Sequence, residues 1–90
     1  MRIDEFLKAS RLLRSRSLAK RACELGFVKI DGKVAKAGKE VAPGQRLVLD
    51  LPIRFLEAEV VRLPENRNVS KEAGRALIRV LRREERDLEL

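Results

Sequence analysis

The chain has 90 residues, enough for one modest hydrophobic core and a single domain. Three Phe with no Trp, Tyr or His make that core aliphatic, leave few rings for base stacking, and remove the imidazole on which much acid–base and metal chemistry relies. The net charge of +7 is concentrated at one end: residues 1–39 carry 11 Lys/Arg against 4 Asp/Glu while residues 40–90 carry 10 against 10, an asymmetry that favours a docking face for a polyanion over an evenly solvated surface.

In chain order, Ile3, Phe6 and Leu7 recur at helical spacing, and Asp4 and Glu5 lie in the first turn, where carboxylates complement the helix dipole. The pattern predicts a short amphipathic helix ending near Ala9, with Arg2 ahead of it free to face outward. From Ser10 to Arg14, Leu12 and Leu13 are expected to anchor the connection while Arg11 and Arg14 stay in water. Ser15, or alternatively Ser17, is placed to cap a second helix. Leu18, Ala19, Ala22, Cys23 and Leu25 form its expected apolar face, with Arg16, Lys20, Arg21 and Glu24 outside, and Gly26 stops it. Arg16 and Lys20 are four apart and so neighbours on one side, close to Arg14 and to backbone N–H groups that attract phosphate.

Val28 and Ile30 point to one face of a strand and Lys29 to the other; Asp31-Gly32 is a tight-hairpin signal, with an extended return from Lys33 to Lys36. Lys33, Lys36 and Lys39 lie on or beside the loop leading to Val41. Pro43-Gly44 predicts a turn and Arg46 to Leu51 a strand. Pro52 breaks it, and Phe55 to Leu63 predicts another, with Leu56, Ala58 and Val60 inward and Glu57 and Glu59 outward. After a loop from Pro64 to Asn68, Ser70 is positioned to cap a C-terminal helix whose stripe is Ala73, Leu77, Val80 and Leu81. The stretch from Arg82 to Leu90 is expected to be a fraying helix end or disordered.

Cys23 is the only cysteine and sits where the helix wants a small apolar residue, so packing is its expected role. No apolar run approaches the roughly 18 residues of a membrane span and no signal-peptide pattern follows Met1, so a cytoplasmic protein is expected. Catalysis is not expected: Ser15 and Ser17 have no histidine to activate them, Asp31 is explained by its turn, and Glu57 and Glu59 alternate on an exposed strand side. No cofactor or metal is called for.

The order Arg2-Ile3-Asp4 with Phe6-Leu7, Arg11, Ser15-Arg16 with Ala19, Gly26 before Val28 and Ile30, Asp31-Gly32, and Val41-x-Pro43-Gly44 resembles the S-four-type RNA-binding domain (alpha-L motif), over about residues 2–51. The resemblance implies an α+β fold with two short N-terminal helices packed on a small, mostly antiparallel sheet, plus a C-terminal helix. It divides the chain into residues 1–51, the RNA-binding domain, and residues 52–90, a further strand and helix completing the same domain. Through Ser70-Lys71-Glu72-Ala73 the chain is also similar to the bacterial RqcP-like group, related to the heat-shock protein fifteen group. That likeness implies a factor that binds ribosomal RNA and peptidyl-tRNA on stalled large subunits and supports alanine tailing by an RqcH-type partner. A monomer with no membrane contact is expected.

The residues expected to contact RNA are Arg2, Arg11, Arg14, Arg16 and Lys20, with Lys33 and Lys36 as a second contact through the hairpin. Arg outnumbers Lys 14 to 7, and its planar fork suits folded RNA. For each residue the plain alternative is a solvated charge or a surface pair, such as Arg2 with Asp4 or Glu5, worth about 0–1 kcal/mol. Arg75, Arg79, Arg82, Arg83 and Arg86 are expected to be solvated, offset by Glu72, Glu84 and Glu85. Three other readings stay open: a heat-shock protein fifteen-like recycling factor, the detached RNA-targeting module of a modification enzyme, and a nonspecific coat for duplex DNA.

Overall fold

Helix α1 (Ile3–Ala9) forms where Ile3, Phe6 and Leu7 line one side of the chain, and all three are fully buried. The computed structural model describes residues 1–66 and 68–86. Arg2 occupies the N-cap of α1 without a side-chain cap. The first N–H groups of the helix find oxygens elsewhere: Ile3 donates to the Lys39 carbonyl at 2.7 Å and Asp4 to the Ala37 carbonyl at 3.3 Å. An isolated bridge between Arg2 and Glu40 fastens the same junction, so the loop that carries Lys36 and Lys39 is tied to the start of α1.

Helix α2 (Arg16–Glu24) begins at Ser15, whose hydroxyl accepts the Leu18 N–H at 3.1 Å, and it ends at Leu25 followed by Gly26 at φ +79°. Both helices join the sheet strands in one aliphatic core, in which Phe6, Ile3, Leu7, Leu47, Leu49, Val28 and Val60 are the largest fully buried apolar side chains.

Among the described residues, five antiparallel strands make the sheet: β1 (Val28–Ile30), β2 (Lys33–Val34), β3 (Arg46–Leu51), β4 (Arg54–Val60) and β5 (Ile78–Glu85), in the order β2-β1-β3-β4-β5. The β1–β2 hairpin turns through Asp31 (φ +49°) and Gly32 (φ +83°), the two left-handed residues this turn requires, and Asp31 Oδ1 accepts the Arg46 N–H at 2.9 Å. Leu47 faces Ala58 and Leu49 faces Leu56, all buried, while Glu57 and Glu59 take the other side, as alternation predicts.

Several expectations are corrected. Leu18 and Leu25 are each 50% exposed, because the buried surface of α2, which packs against α1, is only as wide as Ala19, Ala22 and Cys23. The return strand β2 is two residues long, and β4 stops at Val60. The C-terminal helix α3 (Lys71–Arg75) is present and capped by Ser70, whose Oγ accepts the Ala73 N–H at 3.1 Å, but it ends at Ala76. The helical stripe does not continue: Val80 and Leu81 lie in β5, exposed, with Leu81 in the bulge between partners of Glu57 and Ala58. Edge pairing with β4 outweighs a helical pattern interrupted at Gly74 by a residue of poor helix propensity. Arg82–Glu85 are thus strand, Arg86 follows with its N–H donated to the Ile53 carbonyl, and the remainder of the expected fraying tail, residues 87–90, lies outside the described residues.

Candidate nucleic-acid interface

At the N-terminal end, the geometry centres on one buried carboxylate. Asp4 is only 1% exposed, and its Oδ1 accepts the Glu5 N–H at 2.8 Å. Its Oδ2 receives two guanidinium groups, Arg2 Nη2 at 3.1 Å and Arg16 Nε at 3.3 Å. Arg16 also reaches Glu5 Oε1 through Nη2 at 3.4 Å. The Arg2 and Arg16 side chains remain 41% and 46% exposed, so each holds Asp4 with one edge and turns part of its surface to solvent. The buried Asp4 carboxylate fixes the positions of two half-exposed guanidinium groups, and Glu5 offsets part of the Arg16 charge.

Arg2 is therefore not the freely solvated side chain expected ahead of the helix. Among the described residues its Nε is buried without a hydrogen-bond partner, and a Cβ built on Gly38 would stand 3.7 Å from its Nη2. The guanidinium lies along the 36–39 loop. In this way Arg16 on α2, Asp4 on α1, Arg2 and the lysine-bearing loop form one continuous line of contacts. Lys33, Lys36 and Lys39 are all exposed around a concavity of about 740 Å³ that Val34 and Gln45 also line.

The other expected contacts fall into two groups. Arg14, next to the cap of α2, and Lys20, one turn beyond Arg16, are exposed and make no ion pair among the described residues. Arg11 is different: it has φ +65° and donates through Nη2 to the Val69 carbonyl at 2.8 Å, bracing the turn after α1 against the segment before α3. Gly74 of α3 packs there so closely that a Cβ would stand 2.4 Å from the Ala9 carbonyl oxygen. From the sequence the Arg2–Asp4 pair is legible as a surface pair, but the burial of Asp4 and its sharing with Arg16 are not, nor is Gly38. The available signal for Asp4 was its position three residues before Leu7, on the flank of the apolar face.

In the second half several charges are paired locally. Arg79 pairs with Glu59, Arg82 with Glu84, Arg46 with Glu57, and Arg86 with Asp50 at 2.6 Å. The Arg82 and Arg86 guanidinium groups lie 5.4 and 5.7 Å from the centre of the Phe55 ring. A hydrogen bond from Arg82 to Glu84 raises the Arg82 pKa further. Cys23 lies in the core at 4% exposure, where burial, with Asp4 and Glu24 nearby, pushes its thiol up to about 11. Among the described residues no cluster of His, Cys, Asp or Glu suits a metal ion, and no helix is long and apolar enough to cross a membrane.

With this geometry established, comparison with known proteins places the chain. The S4 domain matches residues 1–47. A protein of Halalkalibacterium halodurans named "RQC P-site tRNA stabilizing factor" is 40% identical over 84 residues, 93% of each chain. The protein of the same name from Bacillus subtilis is 37% identical over 84 residues, 93% of this chain and 95% of its own. Among solved structures, the trimeric heat shock protein 15 of Vibrio cholerae superposes with a TM-score of 0.78 at 27% identity, covering 89% of this chain and 80% of the other.

Proposed function

The chain belongs to the S4 domain family and matches P-site tRNA stabilizing factors along nearly their whole length, and from that premise we propose that it is an RNA-binding factor of the large ribosomal subunit. It acts in ribosome-associated quality control, holding the P-site tRNA of a stalled subunit. It makes no bonds itself: it supports the addition of alanine tails to the nascent chain by a separate RqcH-type protein, binds as a monomer, and works in the cytoplasm.

The observation that carries this reading is the sharing of Asp4 by Arg2 and Arg16 beside the 36–39 loop. Two planar, half-exposed cations held at fixed separation recognise the phosphate spacing of a folded RNA, whereas freely rotating side chains would lose more entropy on binding. Arg14 just before α2 and Lys20 on it extend the face, and Lys33 and Lys36 carry it onto the hairpin. Double-stranded RNA hides its major-groove edges, so such a face reads backbone shape, not sequence.

Cosedimentation tests the proposal. The protein should pellet with large subunits that retain peptidyl-tRNA and much less with empty ones. Equal recovery with both, or with neither, would contradict it. The likeness to heat shock protein 15 favours a second reading, a recycling factor for obstructed large subunits. The absence of any stimulation of alanine tailing in a reconstituted reaction, with subunit binding intact, would support that alternative.

A further inference from the structure

The arginine cluster leaves one cleft without a role. It lies between α1, the turn after it and residues 68–70, and encloses about 620 Å³, within the range of about 300–1,000 Å³ usual for small-ligand sites. Lys8 and Arg16 line it as cations, Ala9 and Val69 as apolar surface, and Asn68 as a polar side chain. Glu5 lines it too, and reaches Arg16 Nη2 at 3.4 Å. Arg11 also contributes to the lining, and its bond to the Val69 carbonyl at 2.8 Å spans from the turn to the segment before α3. The walls are thus braced against each other.

We infer that this cleft receives a single unpaired nucleotide of the bound RNA. The inference rests on the RNA-binding reading above and adds to it a site for a base, where the arginine face offers sites for phosphates only. The chemistry fits in three respects. Lys8 is exposed and makes no ion pair among the described residues, so it is available to a phosphate at the mouth. Ala9 and Val69 supply apolar contact for a base plane, in a protein that has no Trp or Tyr to stack on it. The Asn68 amide carries both donor and acceptor atoms and so matches the edge of an adenine, which offers one of each. Arg16 belongs both to the Asp4 cluster and to the cleft lining, so a nucleotide seated here would be continuous with a backbone held by the arginine face.

The test uses the whole chain and two RNA hairpins that differ by one bulged adenine, with 2-aminopurine replacing that base in a fluorescent copy. The wild-type protein should bind the bulged hairpin about tenfold more tightly than the fully paired one and change the fluorescence of the bulged base. Lys8→Ala and Asn68→Ala, both on exposed positions, should each reduce that preference to within about twofold while keeping the binding to the paired hairpin. Adenosine monophosphate in large excess should fail to displace the bulged RNA. Equal binding of the two hairpins by the wild type, or a preference that survives both substitutions, overturns the nucleotide site and leaves the arginine face standing. Displacement by the free nucleotide reassigns the cleft and overturns it as well. Binding of neither hairpin would bring down the RNA-binding reading with it.

Discussion

Arg2 and Arg16 converge on the same oxygen of Asp4, one from the residue before α1 and the other from the first turn of α2. Charge counting and geometry then make opposite predictions for Asp4→Asn. Removing the carboxylate raises the net positive charge, which by long-range attraction alone would tighten binding to RNA. If position matters, the two guanidinium groups lose their common anchor and binding weakens. We expect about a tenfold weaker affinity for large subunits at matched salt, with a stability loss of about 1–3 kcal/mol from the weakened hydrogen bonds of a buried group. Titrations of wild type and variant, with thermal melts alongside, separate the two. Tighter binding by the variant would show that the anchor is incidental.

Gly74→Ala tests the docking of the C-terminal helix. The added methyl would meet the backbone carbonyl oxygen of Ala9 at 2.4 Å and Arg11 Cγ at 3.1 Å, and backbone cannot swing aside as a side-chain end can. Overpacking of this kind costs about 1–3 kcal/mol. Urea denaturation should show that loss, and an unchanged midpoint would mean that α3 does not rest on the turn at Ala9.

Cys23 gives the fold a defined response to alkali. Its folded-state pKa, about 11, lies above the ordinary value of 9.0 because burial disfavours the thiolate. The unfolded chain therefore ionises first as pH rises. This contribution to stability is complete below pH 9 and is lost as pH climbs to about 11. Melting temperatures followed across that window should fall more steeply for the wild type than for Cys23→Ala. Parallel curves would deny the linkage. At neutral pH the same thiol should resist alkylation until the protein is unfolded.

Much of this architecture was legible in the amino-acid order. The Ile3, Phe6, Leu7 spacing, the Ser15 cap, Gly26, the Asp31-Gly32 turn and the alternation in β3 and β4 are local signals that agree with the tertiary structure. The failures lie where a neighbour decides. Leu18 and Leu25 have helical spacing relative to Ala22, yet a face only three small residues wide leaves both half outside. Ile78 to Leu81 suits a helix stripe as well as a strand, and the free edge of β4 selects the strand. At the candidate site, the basic residues could be counted from the sequence, but not their grouping. A short helix N-terminus held by a distant loop is what brings Arg2, Asp4, Arg16 and Gly38 together. Arg11 has an additional structural task for the same reason, since its partner is the carbonyl of Val69, far along the chain.

The most direct test of the central claim, that a positioned basic face at the N-terminal end grips ribosomal RNA, is the salt dependence of binding to large subunits for wild type, Arg16→Ala and Arg86→Ala. Each phosphate contact removed should lower the slope of log K against log salt by about 1. The account predicts that Arg16→Ala weakens binding and flattens the slope by about that amount. Arg86→Ala, whose side chain is engaged with Asp50 and the Leu51 carbonyl, should keep the wild-type slope. Equal slopes and equal losses for the two variants would contradict it.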